Sequence, residues 1–407
     1  MKYLKNISTF ESLQFRNFRW LILGSLASFL AMNMQIVTRG WLILRLTDDS
    51  PLALSLVMMA FGLPMIVVSP IGGALADRVS RKGLVMFSQG GNAVLTLFLA
   101  TLDLTDLIRF WHLLAIGFVN GSLMAVNLPS RQSLISDIVP PDNVMNAISL
   151  NNSGMNLSRI IGPAFAGLLI IFIETAGVFY LIALLYVCSV LSTSFVLENV
   201  RSSGRDRKGI FSDIGDGFAY AASNPTILCL IILLFAGSLF GWPFIALLPA
   251  WGREVLDVQS DGLGFLMMIT GIGALAGSLM LASMTKMVRR GKFLIAISLG
   301  WGIGIALFSQ SGTYAFVIPL LIILGLFNAL FMSLNMTLLQ TYVTEEMRGR
   351  IMSIILMTFG VMPLSVVPFA AMAEKIGTPD ALTISGIALF VFSAVFAITN
   401  HQIRKID

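Results

Sequence analysis

A cluster of charged residues interrupts an otherwise apolar sequence at residues 72–83, GGALADRVSRKG. The acid Asp77 is followed by three bases, Arg78, Arg81 and Lys82. An acid at the end of one helix can accept hydrogen bonds from the free backbone N–H groups that begin a neighbouring helix, a contact of ~0.3 to 2 kcal/mol. Because such a contact holds in one conformation and breaks in another, the cluster predicts a latch between two parts of the molecule. The alternative is that these charges only anchor a loop and set its side of a membrane.

Two arginines lie inside apolar stretches that are long enough to cross a membrane. Arg159 lies near the middle of its stretch, and Arg39 lies in the outer half of the first one. A charge at this depth costs roughly 3 kcal/mol, so it normally faces protein or water. We predict that Arg39 and Arg159 bind an anionic or polar group, in a substrate site that also contains Gln35, Asn127 and Asn156. In the alternative interpretation, backbone carbonyls or amide side chains satisfy the arginines inside the protein, the amides being those of Asn33, Gln35, Asn120, Asn127 and Asn156.

The composition is that of a membrane protein. Of 407 residues, 57% are hydrophobic and 12% are charged, and the mean hydropathy is +0.88, which excludes a water-soluble globule. A hydrocarbon core of ~30 Å needs ~20 apolar residues per helix. Repeated stretches of this kind predict an all-α protein with twelve transmembrane helices, centred near residues 30, 63, 93, 122, 160, 186, 238, 272, 302, 328, 361 and 391.

The lysines and arginines fall mainly on one side of the predicted membrane. Alternate loops, counted with the two termini, contain 20 of the 26 basic residues, and the opposite loops contain only Arg45, Arg109, Arg253 and Lys375. The positive-inside rule therefore places both termini in the cytoplasm. No small-residue cleavage site follows the first apolar stretch, which predicts a membrane span and not a signal peptide. The net charge of +5 reflects this orientation, and nucleic acid is not a predicted partner.

The chain divides into two similar halves around its longest polar run. LVMMAFG at 56–62 resembles FLMMITG at 265–271, and SRKG, ending at Gly83, resembles VRRG, ending at Gly291. Each pair occupies the same place in its half, as a parallel six-helix repeat requires. We predict an N-terminal six-helix bundle, a cytoplasmic linker with a short interfacial helix, and a C-terminal six-helix bundle, at 1–197, 198–224 and 225–407.

The charge cluster between the second and third spans resembles the signature loop of the major facilitator superfamily. The residues that match this loop are Gly73, Asp77, Arg78, Arg81 and Lys82, and Ser80 stands where the family has a glycine. The resemblance implies two pseudo-symmetric bundles around a central cavity that opens to each side of the membrane in turn, as in a secondary transporter. It also implies that the latch partner is the start of span 11, and the further latch residues are Arg131, Asp137, Arg348 and Arg350.

A second resemblance lies in the fifth span, NLSRIIGPAFAGLL at 156–169. Gly162, Pro163 and Gly167 match a motif of exporters in the superfamily, in which small residues permit close packing and proline bends the helix. Ser158 and Ala166 replace two glycines of that motif. The layout of the whole chain is similar to the branch that contains drug exporters and the enterobactin exporter. This similarity implies export of a small amphiphilic or anionic compound by ion antiport.

Protons are the coupling ion that the resemblance implies, but the residues do not supply an obvious proton carrier. A carboxylate buried in a span is the usual carrier. The acids of this sequence fall at predicted helix ends or in loops, namely Asp77, Asp103, Asp106, Asp137, Glu174, Glu254 and Glu374. Asp77 is the candidate, with Glu174 as the alternative if span 5 lies deeper.

Other functions stay open: an importer of a small metabolite, or a transport-inactive sensor or accessory subunit with the same fold. An enzyme is not expected, because the two histidines are peripheral and no acids cluster at depth. The sequence predicts no cofactor, metal site or ATP-binding loop, and Cys188 and Cys229 fall inside apolar spans. We expect a monomer that crosses the cell membrane many times, with the lipid bilayer and a small-molecule substrate as its partners.

Overall fold

A computed structural model describes residues 10–197, 219–284, 289–404 and 406. Within these ranges, side chains are not described for residues 69–74, 76–78, 345–346, 348–350, 352–353, 356–357, 359 and 361. The described residues form helices and no β-strand, and ten helical segments among them are long and apolar enough to cross a membrane. The predicted all-α class is therefore confirmed.

Six long helices follow a short 3-10 turn, Glu11–Gln14, in the N-terminal half. The fifth and sixth belong to one helical segment, Val144–Ser194, whose backbone breaks at Glu174 (φ 57°, ψ −178°). Glu174 therefore lies at a helix end, as the sequence predicts. The helices are α1 Arg16–Leu46, α2 Pro51–Arg78, α3 Arg81–Leu104, α4 Phe110–Ile138, α5 144–173 and α6 175–194.

Six further long helices form the C-terminal half. They are α7 Pro225–Leu256, α8 Ser260–Ser283, α9 Arg290–Ser309, α10 Tyr314–Tyr342, α11 Glu345–Ile376 and α12 Thr378–Thr399, followed by a single turn, α13 His401–Arg404. One π-helical turn, Gly237–Gly241, interrupts α7. Every predicted span centre falls within one of α1–α12. Residues 198–218 of the predicted linker, with most of its interfacial helix, lie outside the described residues.

Capping residues account for where several helices begin. Ser50 and Ser80 each accept a hydrogen bond from the backbone N–H three residues further on, at 3.1 and 2.9 Å. Asn224 caps α7 in a similar manner, and a proline follows Ser50 and Asn224 at the first helical position. These residue types are preferred at helix starts because they satisfy N–H groups that lack a partner in the helix. The serine that replaces the family's glycine thus begins α3.

The two halves repeat the same helix pairings. α2 packs on α4 as α8 packs on α10, and α3 packs on α6 as α9 packs on α12. Gly121 of α4 and Gly325 of α10 occupy equivalent places: a Cβ there would lie 1.9 Å from the carbonyl oxygen of Phe61 and 2.1 Å from that of Thr270. Only glycine permits such close backbone contact, which supplies van der Waals attraction where lipid removes the hydrophobic driving force.

The halves meet along two helix pairs, α2 with α11 and α5 with α8. Gly62 of α2 lies against Pro363 of α11, since a Cβ at Gly62 would be 2.4 Å from the proline Cγ. The interior of the C-terminal half is aromatic, with fully buried rings from Trp251, Trp301, Phe244, Phe308 and Phe331. The N-terminal half instead buries polar side chains, which form the site described next.

Candidate functional site

The bases of the charge cluster bind within the N-terminal half. Arg81, in the first turn of α3, pairs with Asp137 at the end of α4 (Nη1 to Oδ2, 2.7 Å). Lys82 donates to the backbone carbonyls of Ser194 and Val196 at the end of α6 (2.6 and 2.7 Å), where the helix dipole favours a cation. Arg81 and Lys82 therefore join α3, α4 and α6 at one end of the bundle. We call this end inner and the opposite end outer.

The remaining latch residues lie outside the described side chains, namely Gly73, Asp77, Arg78, Arg348 and Arg350. The contact between Asp77 and the start of α11 therefore stays a prediction. Closer to the middle of the molecule, α2 and α11 are in direct contact where Gly62 meets Pro363.

Arg131 of α4, another predicted latch residue, lies inside the N-terminal half with 4% of its surface exposed. Its Nη2 donates to Ser28 Oγ of α1 (2.9 Å), and its guanidinium lies 4.8 Å from the centre of the Phe29 ring. Its Nε and Nη1 have no hydrogen-bond partner in the described part of the chain. Both contacts are with α1, and a role of Arg131 in the latch stays a prediction.

A chain of hydrogen bonds crosses the N-terminal half at the level of Arg39. Arg39 Nη2 donates to Asn120 Oδ1 of α4 (2.8 Å), and Asn120 Nδ2 donates to Asn92 Oδ1 of α3 (2.6 Å). Of the two interpretations of Arg39, the structure shows a contact for the one in which an amide side chain, here that of Asn120, accepts a hydrogen bond from its guanidinium. Arg39 Nε is buried and has no partner among the described residues.

Gln35 and Asn127, which the sequence places in the substrate site, are buried inside the N-terminal half. Gln35 Nε2 donates to Thr96 Oγ1 (3.1 Å), and Tyr186 Oη donates to Gln35 Oε1 (3.4 Å). Asn127 Nδ2 donates to Ser88 Oγ (2.6 Å). Thr96 and Ser88 belong to α3, so both amides face that helix rather than the junction between the halves. These hydrogen bonds offset the cost of burying the amides.

Two faces of α5 are fixed by its small residues. On one face Gly162 lies against α1, since a Cβ there would be 2.7 Å from Asn33 Cβ. On the other face Gly167 lies against α8, since its Cβ would be 2.4 Å from the Ser260 carbonyl oxygen, and the Pro163 carbonyl faces α8 as well. The motif of span 5 thus lets α5 pack closely against α1 of its own half and against α8 of the other half. Its connection with the direction of transport stays a prediction.

Arg159 lies on the sector of α5 between these two faces. At 3.6 residues per turn, Asn152, Asn156 and Arg159 share one side of the helix, and that side lies between the residues that face α1 and those that face α8. The opposite side consists of exposed apolar residues, as expected for contact with lipid: Leu157, Ile161, Phe165 and Leu168. We call the side with Asn152, Asn156 and Arg159 the polar sector.

Exposure along this side of α5 changes at Arg159. Asn152 and Arg159 are exposed and Asn156 is half-buried. Two turns and more towards the outer end, Ala166 and Ile170 are buried (0% and 7% exposed). Along α5, the side that faces the junction is therefore exposed from the inner end as far as Arg159 and packed beyond it. No described residue forms a hydrogen bond or an ion pair with the Arg159 side chain.

Side chains of the two halves bind each other at the outer end. Arg253, in the last turn of α7, pairs with Asp49 in the turn between α1 and α2 (Nε to Oδ1, 3.3 Å), and its guanidinium lies 5.0 Å from the Trp41 ring. Ser50 hydrogen-bonds to Glu374 at the end of α11. An exposed ion pair stabilises by ~0 to 1 kcal/mol, so these contacts add to the closure made by the packed backbones of α5 and α8.

Sequence reasoning missed a buried ion pair at the outer end of the N-terminal half. The side chain of Asp103, at the end of α3, is 1% exposed, pairs with Arg45 of α1, and accepts a hydrogen bond from Thr175 of α6. One signal was available, since Arg45 is among only four bases on its side of the predicted membrane. The pair and the hydrogen bond from Thr175 tie three helices together.

No group of three His, Cys, Asp or Glu side chains in the described part of the chain could hold a metal ion. The two cysteines belong to different halves: Cys229 is buried and accepts a hydrogen bond from Asn400 (2.8 Å), and Cys188 is exposed. Neither contributes to the polar sector.

The pairing of two six-helix halves through α2 with α11 and α5 with α8 is the architecture of a major facilitator superfamily transporter. A crystal structure of a mutant of the nucleoside transporter NupG has the same fold, with a TM-score of 0.77 and 17% sequence identity, over 94% of this chain and 99% of NupG. The fold is that of multi-pass membrane transporters and not of enzymes.

Curated relatives are similar over most of their length. The staphyloferrin A transporter of Staphylococcus aureus (strain NCTC 8325 / PS 47) is 24% identical, over 90% of this chain and 91% of the relative. The multidrug efflux pump Tap of Mycolicibacterium fortuitum is 21% identical over 95% and 96%. The enterobactin exporter EntS of Escherichia coli O1:K1 / APEC is 24% identical over 80% and 79%. The resemblance to drug and siderophore exporters is thereby confirmed at low identity.

The chain as a whole matches one family. The profile of the transmembrane secretion effectors, transporters of the major facilitator superfamily, covers residues 7–407. The protein belongs to this family.

Proposed function

We propose that the protein is a secondary active exporter that works by alternating access and expels a small amphiphilic or anionic compound from the cytoplasm in exchange for an ion. The observation that carries the proposal is the change of exposure at Arg159. A cation with no partner among the described residues lies where the junction side of α5 changes from exposed, towards the inner end, to packed, towards the outer end. A substrate from the cytoplasm would enter from the exposed, inner end.

The closed outer end supports an alternating-access cycle. The halves are held there by backbone contacts at Gly167 and by polar contacts of Arg253 and Glu374. In the cycle these contacts break while the latch of Asp77 closes the inner side, so that the junction opens outwards. The polar contacts at this end are single side-chain pairs near the surface, which can break at little cost when the junction opens.

The direction and the coupling ion are further parts of the proposal. Exporters among the relatives and the span-5 motif support outward transport. Protons are the proposed coupling ion on the basis of the family, and Asp77 is the proposed carrier because the buried acid Asp103 is already paired with Arg45. Both termini lie in the cytoplasm in this proposal, because the positive-inside rule assigns the end with Arg81 and Lys82 to the cytoplasmic side.

A growth and efflux screen tests the function. A pump-deficient bacterial strain expressing the chain is challenged with a panel of antibiotics, dyes and siderophores, and the intracellular amount of each compound is measured. We expect protection against at least one compound, with a lower intracellular amount that rises when an uncoupler dissipates the proton gradient. The control is the same strain with the chain carrying Asp77→Asn.

Two other results would support the alternative functions. Accumulation of a compound inside the cells would reverse the direction and indicate an importer. Correct membrane insertion with no change in the intracellular amount of any compound would favour a transport-inactive sensor or accessory subunit.

A further inference from the structure

The two halves differ in the charges that lie deep within their helices. In α1–α6, Arg159 lies about four turns from either end of its helix, and Arg39 and Arg131 each lie seven residues, about two turns, from the nearer end of theirs. None of the three pairs with a described carboxylate. In α7–α12, charged residues lie no more than five residues from a helix end. The N-terminal half thus carries three deep cations without a described acid partner, and the interior of the C-terminal half carries none.

Two of these cations are held by neutral groups. Arg39 binds Asn120, and Arg131 binds Ser28 and the ring of Phe29. Hydrogen bonds to neutral acceptors stabilise a guanidinium but leave its charge in place, and in a medium of low dielectric constant that charge acts over a longer distance than in water. The N-terminal half therefore presents a positive potential to the junction between the halves.

Arg159 differs from the other two because its side chain is exposed and binds no described residue. An arginine that served only the packing of α5 would be expected to bind carbonyls or amides, as Arg39 does. A guanidinium presents five N–H donors in a planar fork that fits a carboxylate or another oxyanion with two parallel hydrogen bonds. The Arg159 side chain of the polar sector is thus a donor with a fixed positive charge.

We propose that the substrate is an anion whose carboxylate or comparable oxyanion group binds the guanidinium of Arg159. Asn156 and Asn152, one and two turns towards the inner end, line its path from the cytoplasm. This inference rests on the proposed function, because it concerns the substrate of the same site. The positive potential from Arg39 and Arg131 favours a negatively charged substrate, and Arg159 makes the direct contact with its oxyanion group.

The test compares three variants with the unaltered protein. Arg159→Gln removes the charge, Arg159→Lys keeps the charge without the fork, and Arg19→Gln is the matched control because it removes an exposed arginine in the first turn of α1. Cells are loaded with the anion carboxyfluorescein through its diacetate ester, or with the cation ethidium, and efflux is followed by fluorescence. The compounds exported in the screen are measured in the same strains.

We expect export of carboxyfluorescein and of the anionic compounds of the screen to fall at least tenfold in Arg159→Gln, to be partly retained in Arg159→Lys, and to be unchanged in Arg19→Gln. Anion export at the normal rate in Arg159→Gln would overturn the proposal. Export of cations or neutral compounds only would overturn it too, and would leave the transporter function intact. Failure to export any compound would contradict the proposed function itself. If Arg159→Gln does not reach the membrane, two other measurements test the proposal: the rate of anion export in Arg159→Lys, and the charges of the compounds that the unaltered protein exports. An unchanged rate in Arg159→Lys together with export of cations or neutral compounds only would overturn it.

Discussion

Gly167 provides a direct test of the closed outer junction. Its missing side chain lets α5 approach α8 so closely that a Cβ would lie 2.4 Å from the Ser260 carbonyl oxygen, whereas ordinary contact begins at 3.4 Å. In Gly167→Ala the two helices must separate by about 1 Å (3.4 − 2.4) at this point. Overpacking of this kind costs ~1 to 3 kcal/mol. If the contact exists only when the outer end is closed, the equilibrium shifts towards the outward-open state by ~5- to 150-fold.

The shift is measured by the accessibility of a cysteine within the junction. Ile170→Cys, at a position 7% exposed on the same side of α5, is made in a chain whose Cys188 and Cys229 are replaced by alanine. The labelling rate with a membrane-impermeant maleimide, added from outside, should rise in proportion to the outward-open population. The matched control is Gly90→Ala, because a Cβ at Gly90 meets nothing within 4 Å.

An unchanged labelling rate in correctly inserted Gly167→Ala would refute the reasoning. It would mean either that α5 and α8 keep this contact in both states, or that the junction does not open on the outer side. Faster labelling in Gly90→Ala as well would show a general loosening of the fold and not a shift of the gate.

Two further predictions concern charged residues. Asp77→Asn should abolish or strongly reduce transport in the efflux assay while membrane insertion, measured by surface labelling, stays intact; full activity would exclude the latch. Arg45→Gln should lower the thermal unfolding temperature of the purified protein more than Asp103→Asn does. Arg45→Gln leaves the buried Asp103 carboxylate without its partner, at a cost of ~3 to 5 kcal/mol. Asp103→Asn leaves only Arg45 unpaired, and its side chain is 44% exposed and can be hydrated. Equal decreases in unfolding temperature would contradict this reasoning, because they would show that the loss of Arg45 does not leave a costly unpaired charge at Asp103.

The fold was largely predictable from the sequence because membrane spans have local signals. A run of apolar residues of fixed length identifies each helix without knowledge of its neighbours. The backbone break at Glu174 fell where an acid interrupts two apolar runs. The equivalent glycines 121 and 325 show that the internal repeat extends to the packing of helices, which sequence matches alone only suggested.

The polar contacts were less predictable because they depend on how each helix is rotated against its neighbours. Gln35 and Arg39 lie one turn apart on α1, yet Gln35 binds α3 and α6 while Arg39 binds α4. The sequence indicates that each is polar and buried in a span, but not which partner it meets. The pair of Arg45 and Asp103 joins residues 58 apart, and the scarcity of bases on that side of the predicted membrane marks Arg45 but does not identify its partner. Arg159 is conspicuous in the sequence because a charge in the middle of a span is costly wherever it points, and its role in the site stays a prediction.

The π-helical turn at Gly237–Gly241 has a consequence for the tip of α7. A turn of this type holds one residue more than an α-helical turn, so all side chains beyond it are rotated by about 100° relative to an uninterrupted helix. Ser365 donates its hydroxyl to the widened turn at the Ser238 carbonyl (3.0 Å). With this rotation, Arg253, three turns further on, faces Asp49 and Trp41. The single additional residue therefore sets the direction in which the side chains at the far end of α7 point. Its removal would turn the Arg253 guanidinium away from Asp49 and Trp41, although no residue in contact with Arg253 would have changed.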